Sequence, residues 1–216
     1  MVVNINASGN EGQDLSEAVQ AIIQGQVLVY PTETLYALGA DALNHQAVVR
    51  VSAIKGRSGD KPLPVIIGAM DQLRLVGRDV AQTVLSLARD FWPGPLSIVM
   101  PAGEHVSPLT QDETGCTSVR WSSHPLAQQL CVQSGQPLVG TSANLAGGQP
   151  ASRPEEVDSG LLRSVDCFVP GRPYPQGGLP STVVRVEGGK HLHVLRAGAV
   201  PERALRDAGW VVRTSA

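Results

Sequence analysis

Residues 27–34 read VLVYPTET, an apolar run that reaches a proline and continues into two threonines on either side of a glutamate. Four consecutive apolar residues without alternation are typical of a strand that is buried on both faces. We therefore predict a strand over residues 27–30 that ends at Pro31, with the polar residues on the turn that follows. Open α/β sheets bind their ligands at the carboxyl ends of strands, so this turn is a candidate for holding a small polar ligand. An ordinary strand exit with local hydroxyl hydrogen bonds is the alternative.

Helices and strands alternate around this stretch. Apolar residues three to four apart predict helices, and short apolar runs predict strands. The helices are predicted over residues 16–25, 44–55, 85–92, 124–133, 155–163 and 202–208, and further strands over residues 63–67, 96–100, 118–121, 137–140, 165–169, 182–186 and 191–196. This order predicts an α/β fold with a mixed sheet covered by helices. Because we find no repeat and no low-complexity linker, we predict a single domain over residues 1–216.

The composition excludes several classes of protein. Of the 216 residues, 42% are hydrophobic and 17% are charged, so the chain is neither a disordered tail nor a fibrous protein. No apolar run approaches the roughly 20 residues that span a bilayer, so we expect a cytoplasmic protein that does not associate with membranes. The formal net charge of −2 argues against a protein that coats nucleic acid through bulk positive charge, but it leaves room for a local basic pocket.

Residues that commonly bind metals are sparse. The three cysteines lie far apart without a CxxC pair, which argues against a disulfide framework and a structural zinc site. His191 and His193 share one face of a predicted strand, but no Cys, Asp or third His accompanies them. We therefore predict no protein metal site.

Two further polar segments are candidates for a site. The first, KGRSGDK over residues 55–61, combines Lys55, Arg57 and Lys61 with two glycines, which suits an anion such as phosphate or carbonate. A solvated basic loop is the alternative. The second, GTSAN over residues 140–144, joins small residues to hydrogen-bonding side chains, although a turn motif has the same composition. The chain has no GxxxxGK[ST] phosphate loop, no GxGxxG turn and no GxSxG elbow.

Taken together, these segments resemble the YrdC-like family, the threonylcarbamoyl-AMP synthases. The matching stretches, in the family's order, are YPTETLYALGADAL (residues 30–43), KGRSGDKPL (55–63), FWPGPLSIVMP (91–101), SVRWSSHPLA (118–127), PLVGTSANLAG (137–147), STVV (181–184) and VLRAGAV (194–200). They span most of the chain between residues 25 and 200. The resemblance implies a YrdC-like fold, with a twisted mixed parallel and antiparallel sheet flanked by helices and a concave basic face.

The resemblance also implies an activity. Family members join L-threonine, bicarbonate and ATP into threonylcarbamoyl-adenylate and release pyrophosphate, so the expected enzyme class is nucleotidyltransferase. The adenylate serves the threonylcarbamoyl modification of adenosine at position 37 of tRNA. Implied partners are the transferase proteins that use the adenylate, with weak direct binding to tRNA left open. Mg²⁺ is implied as the ion that accompanies ATP, without a dedicated protein site.

The resemblance assigns roles residue by residue. The residues that match the family's active-site set, and are expected to be catalytic, are Lys55, Arg57, Ser142 and Asn144. The residues expected on the threonine and bicarbonate side are Thr34, Lys55, Arg120 and Thr182. The residues expected to contact the nucleotide are Arg57, Lys61, Ser142, Ser152 and Arg196. Arg120 would pair with the threonine carboxylate, and Lys55 would hold bicarbonate or the carbamate.

The chain also departs from the family pattern. Some members carry a histidine in the strand after the KGR motif, where this chain has Val65-Ile66-Ile67, so other groups must recognise threonine there. The proline that often follows KGR is Ser58 here. Two other functions remain as alternatives. A non-catalytic relative would bind RNA, although relatives of that type tend to lose the SAN triplet kept at residues 142–144. A carbamoyl-adenylate module of hydrogenase maturation proteins normally accompanies zinc-binding regions, for which this chain has no CxxC pair.

Overall fold

The computed structural model describes residues 3–4, 15–56 and 61–214, and helices and strands alternate along them. The helices are α1 (Ser16–Ile23), α2 (His45–Lys55), α3 (Leu73–Val76), α4 (Gln82–Phe91), α5 (Pro125–Ser134), α6 (Ser159–Leu162) and α7 (Glu202–Asp207). The strands are β1 (Val3–Asn4), β2 (Leu28–Pro31), β3 (Tyr36–Gly39), β4 (Val65–Ile67), β5 (Leu96–Pro101), β6 (Cys116–Trp121), β7 (Leu138–Val139), β8 (Thr141–Ser142), β9 (Cys167–Phe168), β10 (Thr182–Gly188), β11 (His191–Arg196) and β12 (Val211–Thr214). No helix in these described ranges is long and apolar enough to cross a membrane.

The strands form two mixed sheets. The smaller sheet has the order β1-β9-β2-β3-β8, and the larger has the order β12-β11-β10-β5-β6-β4-β7. In the larger sheet β5 is parallel to β10 and antiparallel to β6, while β4 is parallel to β6. The mixed parallel and antiparallel pairing with flanking helices confirms the predicted fold class. The strands divide into two sheets where one was predicted, and β3 pairs with β2 in the smaller of them.

Strand β2 is buried on both faces, which explains its continuous apolar sequence. Val29 packs in the main hydrophobic cluster, whereas Leu28 and Tyr30 pack in a second cluster with apolar residues of α1 and α5. The Tyr30 hydroxyl is buried with the ring and donates a hydrogen bond to the Val139 carbonyl oxygen at 2.8 Å. The main cluster takes residues from both sheets, so β2 lies between two apolar layers.

The larger sheet has one apolar and one polar face near its centre. The apolar residues of α4 pack in the main cluster with Ile98 of β5 and Val184 of β10. Because side chains alternate across a strand, Ser97 of β5 and Arg120 of β6 point to the opposite face. This polar face is turned toward the polar residues that follow β2, and the two together enclose a cavity.

Helix α2 begins and ends where the sequence predicts. The Asn44 side chain caps its first turn by accepting a hydrogen bond from the Ala47 N–H, and Gly56 ends the helix with φ +60°, in the left-handed region. Lys55, the last helical residue, is only 4% exposed. The apolar residues of this helix were predicted to form one buried face that includes Val49. That prediction is wrong at Val49, which is 43% exposed.

The other differences concern short elements. Strand β3 follows the polar turn directly and was not predicted, nor were α3 and the strands β1, β8 and β12. Pro31 is the last residue of β2 and pairs with Tyr36, so the strand ends at this proline as predicted but includes it. The predicted helix over residues 155–163 is a 3₁₀ turn at Pro154–Glu156 followed by α6. The two are separate because Asp158 leaves the helical conformation and caps α6 through the Leu161 N–H.

We predict that Gly39→Ala strongly destabilises the fold. A Cβ atom at this position would lie 1.9 Å from the Val139 carbonyl oxygen and 2.9 Å from Cε1 of Tyr30, so buried backbone would have to move. We expect a loss of about 2–4 kcal/mol in the free energy of unfolding, measured by urea denaturation. Gly115→Ala is the control, because its Cβ would meet nothing within 4 Å and only its φ of +72° is strained. That variant should lose about 1 kcal/mol, and equal losses in the two variants would contradict the steric explanation.

His124 caps helix α5 in its neutral form. Its Nδ1 accepts a hydrogen bond from the Leu126 N–H, so the ring proton lies on Nε2 and is donated to the Pro173 carbonyl oxygen at 2.6 Å. Burial lowers the pKa of His124 below its usual value. His124 is therefore protonated at a higher pH in the unfolded chain than in the folded protein. Protonation favours the unfolded chain, so the free energy of unfolding decreases as the pH falls below about 6.5.

We therefore predict that stability falls between pH 7 and pH 5 in the wild type and falls less in His124→Asn. Asparagine keeps a capping oxygen but does not titrate. Urea denaturation at both pH values measures the difference. Identical losses in the two proteins would show that His124 does not carry this pH dependence.

Candidate active site

A cavity of about 180 Å³ lies between the turn after β2 and the polar face of the larger sheet. The smaller sheet contributes this turn, β3 and β8, and the larger sheet contributes β4, β5, β6 and the end of β11. Because β5 is antiparallel to β6 and parallel to β10, the carboxyl ends of β6 and β11 meet the amino ends of β5 and β10 here. The cavity therefore occupies the strand-end position that the sequence predicts.

The turn after β2 presents two hydroxyl groups to the cavity. Thr32 and Thr34 both line it, with their Oγ1 atoms 3.2 Å apart. Thr32 Oγ1 also donates to the Leu35 carbonyl oxygen at 2.7 Å, which closes the turn. The Gly177 N–H donates to the Thr34 carbonyl oxygen at 2.8 Å, so a second segment of backbone holds the turn from outside. The two hydroxyls are thus fixed in the wall before any ligand arrives.

Arg120 of β6 lines the same cavity and is paired with a carboxylate behind it. Its Nη1 donates to Glu33, whose other carboxylate oxygen accepts a hydrogen bond from the Ser122 hydroxyl. The side chains of Arg120 and Glu33 are only 7% and 9% exposed. A guanidinium has five N–H donors, so Arg120 keeps further donors for a ligand while one nitrogen bonds Glu33.

Two serines and an arginine form another part of the wall. The Ser97 and Ser181 hydroxyls lie 2.9 Å apart, and both residues are nearly fully buried. Arg196, at the end of β11, donates from Nη2 to the Ser181 carbonyl oxygen at 2.8 Å and to its hydroxyl at 3.0 Å. These contacts hold the arginine against the backbone that precedes β10.

Lys55 organises the turn that carries Ser142. Its Nζ donates to the Ser142 carbonyl oxygen at 2.8 Å and to the carbonyl and side-chain oxygens of Asn144 at 2.5 and 3.2 Å. The Ser142 hydroxyl donates to the same Asn144 side-chain oxygen. Three oxygens thus surround the Lys55 ammonium group. Lys55 supports the turn from behind while Thr141 and Ser142 line the cavity.

The charged residues of the lining are all cations. They are Lys61, Arg120 and Arg196, and no acidic side chain joins them among the described residues that form the wall. An enclosed site with charges of one sign concentrates ions of the opposite sign, so this cavity suits anionic ligands. Nowhere in the described ranges do three His, Cys, Asp or Glu side chains come close enough to hold a metal ion.

The structure brings together many of the residues that the sequence singles out. The predicted site residues that line the cavity are Thr34, Lys61, Arg120, Ser142 and Arg196. Lys55 and Asn144 lie directly behind Ser142. These seven residues come from segments that are far apart in the chain.

Besides Lys55 and Asn144, two described residues of the predicted site, Thr182 and Ser152, are absent from the lining of the cavity. Thr182 is 1% exposed, and its hydroxyl donates to the Val200 carbonyl oxygen at 2.7 Å, away from the lining. Ser152 donates from its backbone and hydroxyl to the Glu156 carboxylate. Arg57 lies outside the described residues. The roles assigned to these three residues by resemblance remain predictions.

Sequence reasoning missed several groups that the structure places at the site. Ser97 and Ser181 line the cavity, and the one available signal is that Ser97 interrupts an otherwise apolar strand. Glu33 was expected to contact a ligand, but its carboxylate instead holds Arg120. Ile66 occupies part of the wall, in the strand where some relatives carry histidine, so this patch is apolar.

Comparison with known proteins agrees with this geometry. A family model described as "Telomere recombination", for Sua5, YciO and YrdC proteins, matches residues 20–198. The threonylcarbamoyl-AMP synthase of Pyrococcus abyssi is 32% identical over 180 residues, which are 83% of this chain and 52% of that protein. The chain thus spans about half the length of this relative. The threonylcarbamoyl-AMP synthase of Vibrio vulnificus is 40% identical over 160 residues, which are 73% of this chain and 86% of that protein.

A solved structure extends the match to the whole fold. P. abyssi Sua5 complexed with L-threonine superposes with a TM-score of 0.89 at 28% identity, covering 100% of this chain and 62% of that one. The family model covers most of the chain, and the V. vulnificus relative is matched over most of its own length. This chain belongs to the Sua5/YciO/YrdC family.

Proposed function

We propose that this protein is a threonylcarbamoyl-AMP synthase, which forms threonylcarbamoyl-adenylate and pyrophosphate from L-threonine, bicarbonate and ATP. The observation that carries the proposal is the cation-lined cavity, in which Arg120 and two threonine hydroxyls share one enclosure with Lys61 and Arg196. Relatives of this chain at 32% and 40% identity are synthases of this name. A protein of this family, at 28% identity, binds L-threonine.

The amino acid is proposed to bind at the end of the cavity formed by Arg120 and the turn after β2. A guanidinium binds a carboxylate through parallel N–H donors, which gives Arg120 the role of anchoring the threonine carboxylate. Thr32 and Thr34 provide hydroxyls that can bond the polar groups of the amino acid. The apolar side chain of Ile66, on the strand next to Arg120, can contact its methyl group.

The triphosphate is proposed to bind along Lys61, Ser142 and Arg196. A lysine ammonium and an arginine guanidinium are both strong phosphate donors, and a serine hydroxyl adds a directional contact. Arg57 belongs to this group by resemblance. Mg²⁺ would enter with ATP as part of the substrate, so no separate protein site for it is proposed.

The reaction needs positioning and charge neutralisation more than a reactive side chain. The threonine amine attacks the carbon of bicarbonate, and loss of water leaves a carbamate. A carbamate oxygen then attacks the α-phosphorus of ATP, and pyrophosphate leaves. Each step brings anions together, and fixed cations in an enclosed site offset their repulsion most strongly when the charge is concentrated. No covalent enzyme intermediate is required.

The adenylate is reactive and has to be consumed, so we propose that transferase proteins which modify adenosine 37 of tRNA take it up. Because such tRNAs are cytoplasmic, we propose the same location for this protein. Direct binding to RNA is the competing function.

Pyrophosphate release by the purified full chain tests the proposed function. We expect release that requires ATP, L-threonine and bicarbonate together, with threonylcarbamoyl-adenylate detected by mass spectrometry. If release persists with another amino acid in place of L-threonine, the type of reaction is as proposed but the substrate is a different amino acid. A folded protein that releases no pyrophosphate and retains RNA in a salt-dependent manner would instead be the RNA-binding relative.

We predict that Lys55→Met lowers kcat/KM for ATP by about 10²–10³-fold, comparable to the loss of one fixed donor in an active site. The variant keeps the length of the side chain but releases the carbonyl oxygens of Ser142 and Asn144. Amide hydrogen exchange around residues 142–145 should therefore become faster. Lys190→Met is the matched control at an exposed lysine, and we expect its activity to be unchanged. Turnover close to wild type in a folded Lys55→Met protein would refute the supporting role.

A further inference from the structure

We propose that Glu33 is a positioning residue that acts through Arg120 and makes the Arg120 subsite selective for the amino-acid carboxylate over the phosphates of ATP. The inference rests on the proposed function, in which both anions enter the same cavity. Glu33 is absent from the cavity wall, so its effect on a ligand has to pass through Arg120.

The first step of the argument is orientation. Both carboxylate oxygens of Glu33 are occupied, one by Nη1 of Arg120 and the other by the Ser122 hydroxyl. The backbone carbonyl oxygen of Glu33 also accepts a hydrogen bond from the Gln176 N–H at 3.0 Å. A carboxylate held at both oxygens, on a residue whose backbone is also bonded, cannot follow a ligand. Arg120 is therefore held in one orientation, with its further N–H donors on the cavity side.

The second step is charge. The Arg120 and Glu33 side chains are 7% and 9% exposed, so water screens their interaction only weakly. Together they form a pair with no net charge. A guanidinium can bond either a carboxylate or a phosphate through two parallel N–H donors, but a triphosphate carries several negative charges and gains more from net positive charge than a carboxylate with one. The pair keeps the donors and reduces the net charge, so it weakens the binding of a triphosphate more than that of a carboxylate.

The third step compares Arg120 with another arginine of the wall. Arg196 donates to the carbonyl and hydroxyl oxygens of Ser181, which are neutral groups. Its interaction with Ser181 therefore does not cancel its charge. The pairing with Glu33 therefore makes Arg120 less attractive to the triphosphate, which Lys61 and Arg196 can bind elsewhere in the wall. Without Glu33, the two substrates would compete for the same guanidinium.

Steady-state kinetics of Glu33→Gln test the proposal. Glutamine keeps the size and the hydrogen-bonding oxygen but removes the charge. We expect the KM for L-threonine to rise about tenfold, with the KM for ATP unchanged or lower. Pyrophosphate should become a tighter inhibitor, competitive with L-threonine, because Arg120 would then carry an uncompensated charge. A variant in which the site had only become more flexible would not gain affinity for pyrophosphate.

Two further variants separate charge from shape. Glu33→Asp keeps the charge on a shorter side chain, so we expect a higher KM for L-threonine without tighter inhibition by pyrophosphate. Ser122→Ala removes the second anchor of Glu33 and should give a smaller rise in the same KM, also without tighter inhibition. Thermal unfolding of each protein checks that the fold is retained. If Glu33→Gln does not fold, the kinetics of Glu33→Asp test the proposal instead. An unchanged KM of Glu33→Asp for L-threonine would then overturn the proposal.

Other outcomes would also overturn it. Unchanged kinetics in folded Glu33→Gln, or equal rises in the KM values for L-threonine and ATP, would show that Glu33 does not select between the anions. These outcomes are read against a wild-type protein that releases pyrophosphate. If the wild type releases no pyrophosphate, the proposed function is wrong. The affinities of the wild type and of Glu33→Gln for L-threonine and for pyrophosphate can then still be compared by calorimetric titration.

Discussion

Strand β2 runs between two apolar layers, with Val29 in one layer and Leu28 and Tyr30 in the other. A strand enclosed in this way cannot slide or rotate, because a shift by one residue would exchange the layers that its side chains enter. The polar turn that follows is consequently held at a fixed place against β6. This constraint sets one side of the site, since the turn carries the Thr32 and Thr34 hydroxyls and the carboxylate that pairs with Arg120.

The structure separates residues that face the cavity from residues that hold them. Thr34, Ser142 and Arg120 form part of the wall, and each has a partner outside it. Lys55 holds the turn of Ser142, while Glu33 holds Arg120. Charged groups are used in both supporting positions because a charged hydrogen bond in a buried place is stronger and more directional than a neutral one. An active site with few catalytic groups depends on this kind of support, because its chemistry consists of holding ligands in place.

The sequence predicted well what local patterns determine. Asn44 and Gly56 mark the two ends of α2, and the buried run before Pro31 marks β2. It predicted less well what distant partners decide. Ser97 and Ser181 meet across 84 residues, and Glu33 and Arg120 meet across 87, so no local pattern indicates either pair. The sequence predicted one sheet where the structure has two for the same reason. The pairing of short strands depends on the layers that pack on them, and no local pattern indicates those layers.

Five of the site residues named from the motifs line one cavity and two more contact Ser142 in its wall, although motifs alone could not tell wall from support. Lys55 and Ser142 belong to the same matched set, yet one lies behind the other. A motif records that a residue is needed and not the direction in which its side chain points. Only the three-dimensional arrangement distinguishes a lysine that touches a ligand from one that shapes the backbone around it.

A wall whose charged groups are Lys61, Arg120 and Arg196 has a consequence for the protein in solution. Such a cleft raises the local concentration of anions, so we expect phosphate or sulfate in the buffer to compete with the substrates for it. A substrate molecule then has to displace any bound ion before it binds. The apparent affinity for ATP will accordingly weaken as ionic strength rises, and the choice of buffer anion becomes part of any measurement on this site.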